Sequence, residues 1–114
     1  MSGADIVNKA REFVNNISYK SRGESPSKGF DCSGLVKYVY NKVTGMNLPH
    51  STGSLIGMGK KVSKNDLQLG DLVFPSSGHV GIFSGNNKFI HAPGDGQKVQ
   101  EANIYAFLTA RRLI

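Results

Sequence analysis

The sequence predicts an α+β domain in which amino-terminal helices pack on a central antiparallel β-sheet. Two observations carry this. Apolar residues recur at helical spacing up to Val43, and after Gly70 the pattern changes to short apolar runs separated by Gly, Asn, Ser and Pro clusters. Helices first and strands afterwards give a segregated arrangement rather than the alternating units of a parallel sheet. With 114 residues and 39% hydrophobic content there is material for one core and little more, so residues 1–114 are read as a single domain.

Taken in order, Ile6, Val7, Ala10, Phe13, Val14 and Ile17 share a helical face, with Asp5, Lys9 and Glu12 between them. This predicts an amphipathic helix over 4–17. Ser18 to Gly29 is rich in Ser, Gly and Lys, contains Pro26 and reads as a loop. Asp31-Cys32-Ser33-Gly34 then introduces Leu35, Val36, Val39, Tyr40 and Val43, a second helix whose first free amides Asp31 or Ser33 can cap. Gly45, Asn47 and Pro49 end it, His50 to Met58 reads as a short helical turn, and Lys60 to Leu69 as a polar connector. Leu72-Val73-Phe74, Val80 to Phe83, Phe89-Ile90, a segment near Val99, and Phe107 to Leu113 read as strands.

No run approaches the roughly 18 apolar residues of a membrane span, and Asp5, Lys9, Arg11 and Glu12 interrupt the amino end. Neither membrane insertion nor a secretion signal is expected. Fourteen basic residues against eight acidic give +6, which favours anionic surroundings such as nucleic acid, a membrane surface or acidic wall polymers, or simply keeps the protein soluble. No basic run is interleaved with aromatics, so nucleic acid is not an expected partner.

The single cysteine excludes an internal disulfide and leaves Cys32 as a free thiol. A helix amino terminus favours the thiolate, the reactive form; a lone cysteine is equally often a small buried hydrophobe. Position alone leaves both readings open. The candidate bases are His50, His79 and His91. If Gly85-Asn86-Asn87 forms a three-residue hairpin turn, Ser84 faces Lys88, Gly81 faces His91, and His79 and His91 share a face. His91 can then accept a hydrogen bond from one nitrogen of His79 and leave the other for Cys32, a nucleophile, base and orienter arrangement. A two-residue turn would put the two rings on opposite faces. His50 has no such partner and is assigned to the surface or a cleft rim. The alternative chemistry is a zinc amidase with Cys32, His79 and His91 as ligands, although no Asp or Glu beside the histidines offers a second shell or a separate base.

Residues Phe30 to Tyr40, opening with Asp31-Cys32-Ser33-Gly34, resemble the nucleophile helix of the NlpC/P60 family. The similarity continues through Leu69-Gly70-Asp71-Leu72-Val73-Phe74, Gly78-His79-Val80-Gly81-Ile82-Phe83 and Phe89-Ile90-His91-Ala92-Pro93, in the family's order and spacing. The resemblance implies a papain-like α+β fold and no cofactor. It also implies hydrolysis of an amide bond in the peptide stem of peptidoglycan, commonly between γ-D-glutamate and a diamino acid, by acyl transfer through Cys32, His79 and His91. Tyr19 matches a tyrosine that lines the cleft, and Asp31 and Ser33 match positions that help hold the substrate; helix capping is the competing role for the latter two. The backbone N–H of Cys32 is the expected oxyanion donor. Two stretches depart from the family pattern: Lys20-Ser21-Arg22-Gly23 replaces a Trp-Gly-Gly run, and His50 replaces an Arg. The implied partner is peptidoglycan at the bacterial cell wall, reached by secretion or phage delivery. A monomer, possibly a catalytic unit within a longer protein, is expected. A non-catalytic wall-binding module is the rival of another class.

Overall fold

The computed structural model describes residues 2–114. Helix α1 (Gly3–Arg11) begins with a capping box: the Ser2 side chain accepts from the Asp5 amide, and the Asp5 carboxylate accepts from the Ser2 amide at 3.0 Å. Two free amides are satisfied reciprocally at the helix start. The helix is shorter than the predicted 4–17. Asn15 adopts a left-handed φ of 64°, its amide donates to the Val99 carbonyl at 2.8 Å, and Val99 donates back to Ile17 at 2.9 Å. This long-range pairing draws the chain out of the helix although Phe13 still points into the core.

The Ser18–Gly29 segment carries more structure than a loop. Strands β1 (Glu24–Ser25) and β2 (Gly29–Phe30) form a small antiparallel hairpin, and Ser18 and Tyr19 make isolated bridges to Lys98 and Phe30. Helix α2 (Cys32–Thr44) follows at once. Asp31 is its cap, accepting from the Gly34 amide at 2.7 Å, and Gly45 closes it at φ 78°, the left-handed conformation that glycine adopts without strain. A short helix α3 (Thr52–Leu55) occupies the predicted His50–Met58 turn.

Six strands complete the main sheet: β3 (Lys60–Val62), β4 (Leu72–Ser76), β5 (His79–Gly85), β6 (Lys88–His91), β7 (Gln100–Asn103) and β8 (Thr109–Arg112). Their order is β3-β8-β4-β5-β6-β7, antiparallel throughout. Strand β3 lies inside the segment read as a polar connector. It is an edge strand with two exposed lysines and only Val62 buried, so it lacks the alternation that marks a half-buried strand, and charges of this kind protect an edge.

One sheet face meets the helices. Ile6, Val7 and Ala10 of α1 and Leu35, Val36, Val39 and Tyr40 of α2 pack with Leu72, Phe74, Val80, Ile82 and Ile90. Each such buried side chain contributes about 1.5–3 kcal/mol of transfer free energy. Val73, Phe89 and Ile104 form a smaller cluster with Leu67, Phe83 and Phe107. Tyr40 donates its buried hydroxyl to the Gly70 carbonyl, and Arg112 forks onto Asp71 with two 2.9 Å bonds, tying the last strand to the start of β4.

Candidate active site

Cys32 is the first residue of α2, partly exposed, with an amide that has no acceptor within the helix. Its Sγ lies 3.4 Å from Thr52 Oγ1 and 3.9 Å from the Gly78 carbonyl, which immediately precedes His79. The first turn of α2 therefore abuts the start of β5. Gly34 allows the β1–β2 region to come this close: a Cβ there would sit 1.9 Å from the Gly23 carbonyl oxygen.

The β5–β6 hairpin places the histidines. The predicted three-residue turn is a two-residue one, Asn86 and Asn87, both at positive φ (53° and 59°), and Gly85 rather than Ser84 faces Lys88. Two residues with positive φ give the turn that matches the twist of a hairpin. Ser84 is bulged between Phe83 and Gly85, and beyond it Phe83 faces Phe89 and Ile82 faces Ile90. The bulge restores the register that a two-residue turn alone would shift. His79 and His91 consequently share a side, with His79 Nε2 and His91 Nδ1 2.7 Å apart.

One of those two nitrogens donates and the other accepts, and the tautomer in which His79 Nε2 donates leaves His79 Nδ1 with a free lone pair. His91 stacks on Phe89 with ring centroids 4.2 Å apart. Gly81 makes room for that ring, since a Cβ there would fall 2.3 Å from Phe89. Burial pushes the His79 pKa below the ordinary imidazole value, and burial together with the neighbouring His79 pushes His91 down to about 4. Both rings are thus neutral at neutral pH.

Two imidazole nitrogens hydrogen-bonded at 2.7 Å do not suit a shared zinc ion, whose tetrahedral ligands stand roughly 3.3 Å apart at zinc–nitrogen distances of about 2.0 Å. Among the described residues, no group of three or more His, Cys, Asp and Glu side chains is arranged to hold a metal.

The remaining predicted residues gather around the helix start. Tyr19 is half-buried, and its phenol pKa is raised first by burial and then by its acidic neighbours Asp31 and Asp95. Asp31 is occupied by the protein itself: Oδ1 accepts from the Gly34 amide at 2.7 Å and the Ser33 hydroxyl at 3.4 Å, and Oδ2 from the Arg22 amide at 3.1 Å. Ser33 is buried.

His50, assigned to the surface or a cleft rim with no partner of the His79–His91 kind, is half-buried and has two carboxylate partners instead. It lies between Asp31 and Glu24, bonded to both. Thr52 escaped the sequence reading altogether, because nothing in the spacing relates it to a cysteine twenty positions earlier.

Amino-terminal helices packed on an antiparallel sheet, with the thiol at a helix start beside the first residues of β5, make this a papain-like α+β fold. The chain belongs to the NlpC/P60 family, whose model matches residues 16–114. It is 47% identical to the murein DD-endopeptidase MepS/murein LD-carboxypeptidase of Escherichia coli strain K12, over 69% of this chain and 52% of that protein. It is 40% identical to the gamma-DL-glutamyl hydrolase of Bacillus subtilis strain 168, over 75% of this chain and 21% of that protein. The chain thus spans about half or less of these relatives. Among solved structures, the NlpC/p60 domain of the peptidoglycan hydrolase SagA superposes with a TM-score of 0.92 at 34% identity, covering 99% of this chain and all of that one.

Proposed function

We propose that the chain hydrolyses an amide bond in the peptide stems of peptidoglycan, between γ-D-glutamate and a diamino acid, with Cys32 as nucleophile, His79 as base and His91 as orienter. The observation that carries this reading is the meeting of a partly exposed sulfur at a helix start with the beginning of β5, where the His79–His91 bond leaves one ring nitrogen of His79 free. The names of the relatives, a murein endopeptidase and a glutamyl hydrolase, support the substrate class.

In the first half-reaction His79 Nδ1 takes the thiol proton and the sulfur attacks the carbonyl carbon. The helix-start amide of Cys32 donates to the developing oxyanion. The carbon–nitrogen bond then breaks, the leaving amine takes the proton from His79, and a thioester remains. In the second half-reaction His79 deprotonates a water, whose oxygen attacks the thioester carbon; the carbon–sulfur bond breaks, the proton on His79 returns to the Cys32 sulfur, and the carboxylic product leaves. His91 is neutral, so it stabilises the imidazolium less than a carboxylate would; its part is to fix the tautomer and direction of His79. Tyr19 lines the cleft, whereas Asp31 and Ser33 serve the substrate indirectly by ordering the helix start.

Mass spectrometry of fragments released from purified walls of two stem chemistries tests this reading, since the new termini name the bond. Release abolished by iodoacetamide and by Cys32→Ala but insensitive to a chelator is the expected result. Loss of release to chelator, restored by zinc, overturns the thiol mechanism, and a wild-type chain that binds walls yet releases nothing from any stem type overturns the enzyme.

A further inference from the structure

His50 sits in the connector between α2 and α3, where one ring nitrogen, Nε2, lies 2.7 Å from Asp31 Oδ1 and the other, Nδ1, 2.6 Å from Glu24 Oε2. An ionised carboxylate only accepts hydrogen bonds, so satisfying both contacts requires a hydrogen on each nitrogen, and only the imidazolium has two. A neutral ring would set a lone pair against one of the two oxygens.

Those carboxylates belong to elements that frame the thiol. Asp31 caps α2 through the Gly34 amide and receives the Arg22 amide, and Glu24 of β1 reaches Lys37 of α2 through its other oxygen at 3.3 Å. The ring therefore ties connector, hairpin and helix start together. The charged and titratable groups around it are Glu24, Asp31, Lys37 beyond Glu24, and Tyr19 and Cys32 beside Asp31. Asp31 immediately precedes the nucleophile, and an uncompensated carboxylate at that position opposes negative charge on the sulfur.

We propose that His50, donating to Glu24 and Asp31 at once, is a positioning residue for Cys32: it locks the cap of the nucleophile helix and offsets the cap's charge. The proposal rests on the thiol reading of Cys32. Arginine also presents several donors and a permanent charge, whereas glutamine offers no charge.

The test uses the full chain with His50→Arg, His50→Gln and Glu24→Ala, reading the rate at which iodoacetamide alkylates Cys32, the thermal midpoint, and fragment release from walls. Alkylation needs no substrate, so it reports on the latch even if the proposed substrate is wrong. We expect His50→Gln to slow alkylation about tenfold, the size of one lost charge near a partly exposed site, while His50→Arg stays close to wild type. A folded His50→Gln chain alkylated at the wild-type rate, or a His50→Arg chain slowed as much as His50→Gln, overturns the proposal. Should His50→Gln fail to fold, Glu24→Ala keeps the test alive: a two- to threefold slowing that vanishes in a His50→Arg background supports the latch, and no slowing refutes it.

Discussion

Asp31 and Asp71 serve the two ends of α2 in contrasting ways. Asp31 caps the helix start, is partly exposed, and is held by backbone amides and the His50 ring. Asp71 follows the glycine that receives the Tyr40 hydroxyl, is almost fully buried, accepts the Gln68 amide at 2.8 Å, and is gripped by the fork of Arg112. An arginine fork keeps its charge at every working pH and fits a carboxylate with two parallel bonds. A histidine does neither. The far end of the helix is thus fastened permanently, whereas the end that carries the thiol is held by a group whose charge can change.

This contrast can be broken by substitution. At the thiol end, His79→Gln should lower the fragment-release rate by about 10³-fold, in line with the loss of a general base, with little change in thermal midpoint; a residual rate within tenfold of wild type would remove His79 from the chemistry. At the far end the effect should be on stability instead. Asp71→Ala leaves a charged Arg112 without its partner and should cost about 3–5 kcal/mol, read by denaturant unfolding, while any chain still folded alkylates at the normal rate. Equal loss from a more exposed pair such as Lys9–Glu12 would show that burial is not the cause.

The buried histidines give the contrast a pH dimension. His91 is pushed from the ordinary 6.5 down to about 4 in the folded chain. Above the unfolded value the ring is neutral in both states and contributes nothing. Below it the unfolded chain takes up the proton first, so stability should fall by about 3 kcal/mol between roughly pH 6.5 and 4 and then level off. His91→Gln should flatten that part of the curve in urea titrations, and an unchanged slope would assign it elsewhere. The smallest effect is expected at Thr52, whose hydroxyl touches the sulfur. Thr52→Val should slow alkylation of Cys32 about fivefold, one lost hydrogen bond of about 1 kcal/mol, and Thr52→Ser should restore it.

Local periodicity made much of this molecule legible. The α2 face from Leu35 to Val43 and its Asp31 cap follow from spacing and capping chemistry, and period-two alternation brought His79 and His91 to one side. What stayed hidden depends on partners distant in sequence. The end of α1 is set by the Asn15–Val99 bond, β3 exists because β8 pairs with it, and His50 and Thr52 meet residues 31 and 32 across a helix and a turn. The hairpin was read in the correct register with the wrong turn, because a bulge and a longer loop shift parity equally.

That bulge makes chain length in the hairpin part of the geometry that pairs the two imidazoles. Were Ser84 to enter the ladder instead of bulging, the two-residue turn would set it opposite Phe89 and turn the His79 strand over relative to the His91 strand. Removing Ser84 would leave Phe83 opposite Phe89 beside an unbulged turn, so the rings keep their shared side; a residue added there without a bulge of its own uncouples the imidazoles without altering either.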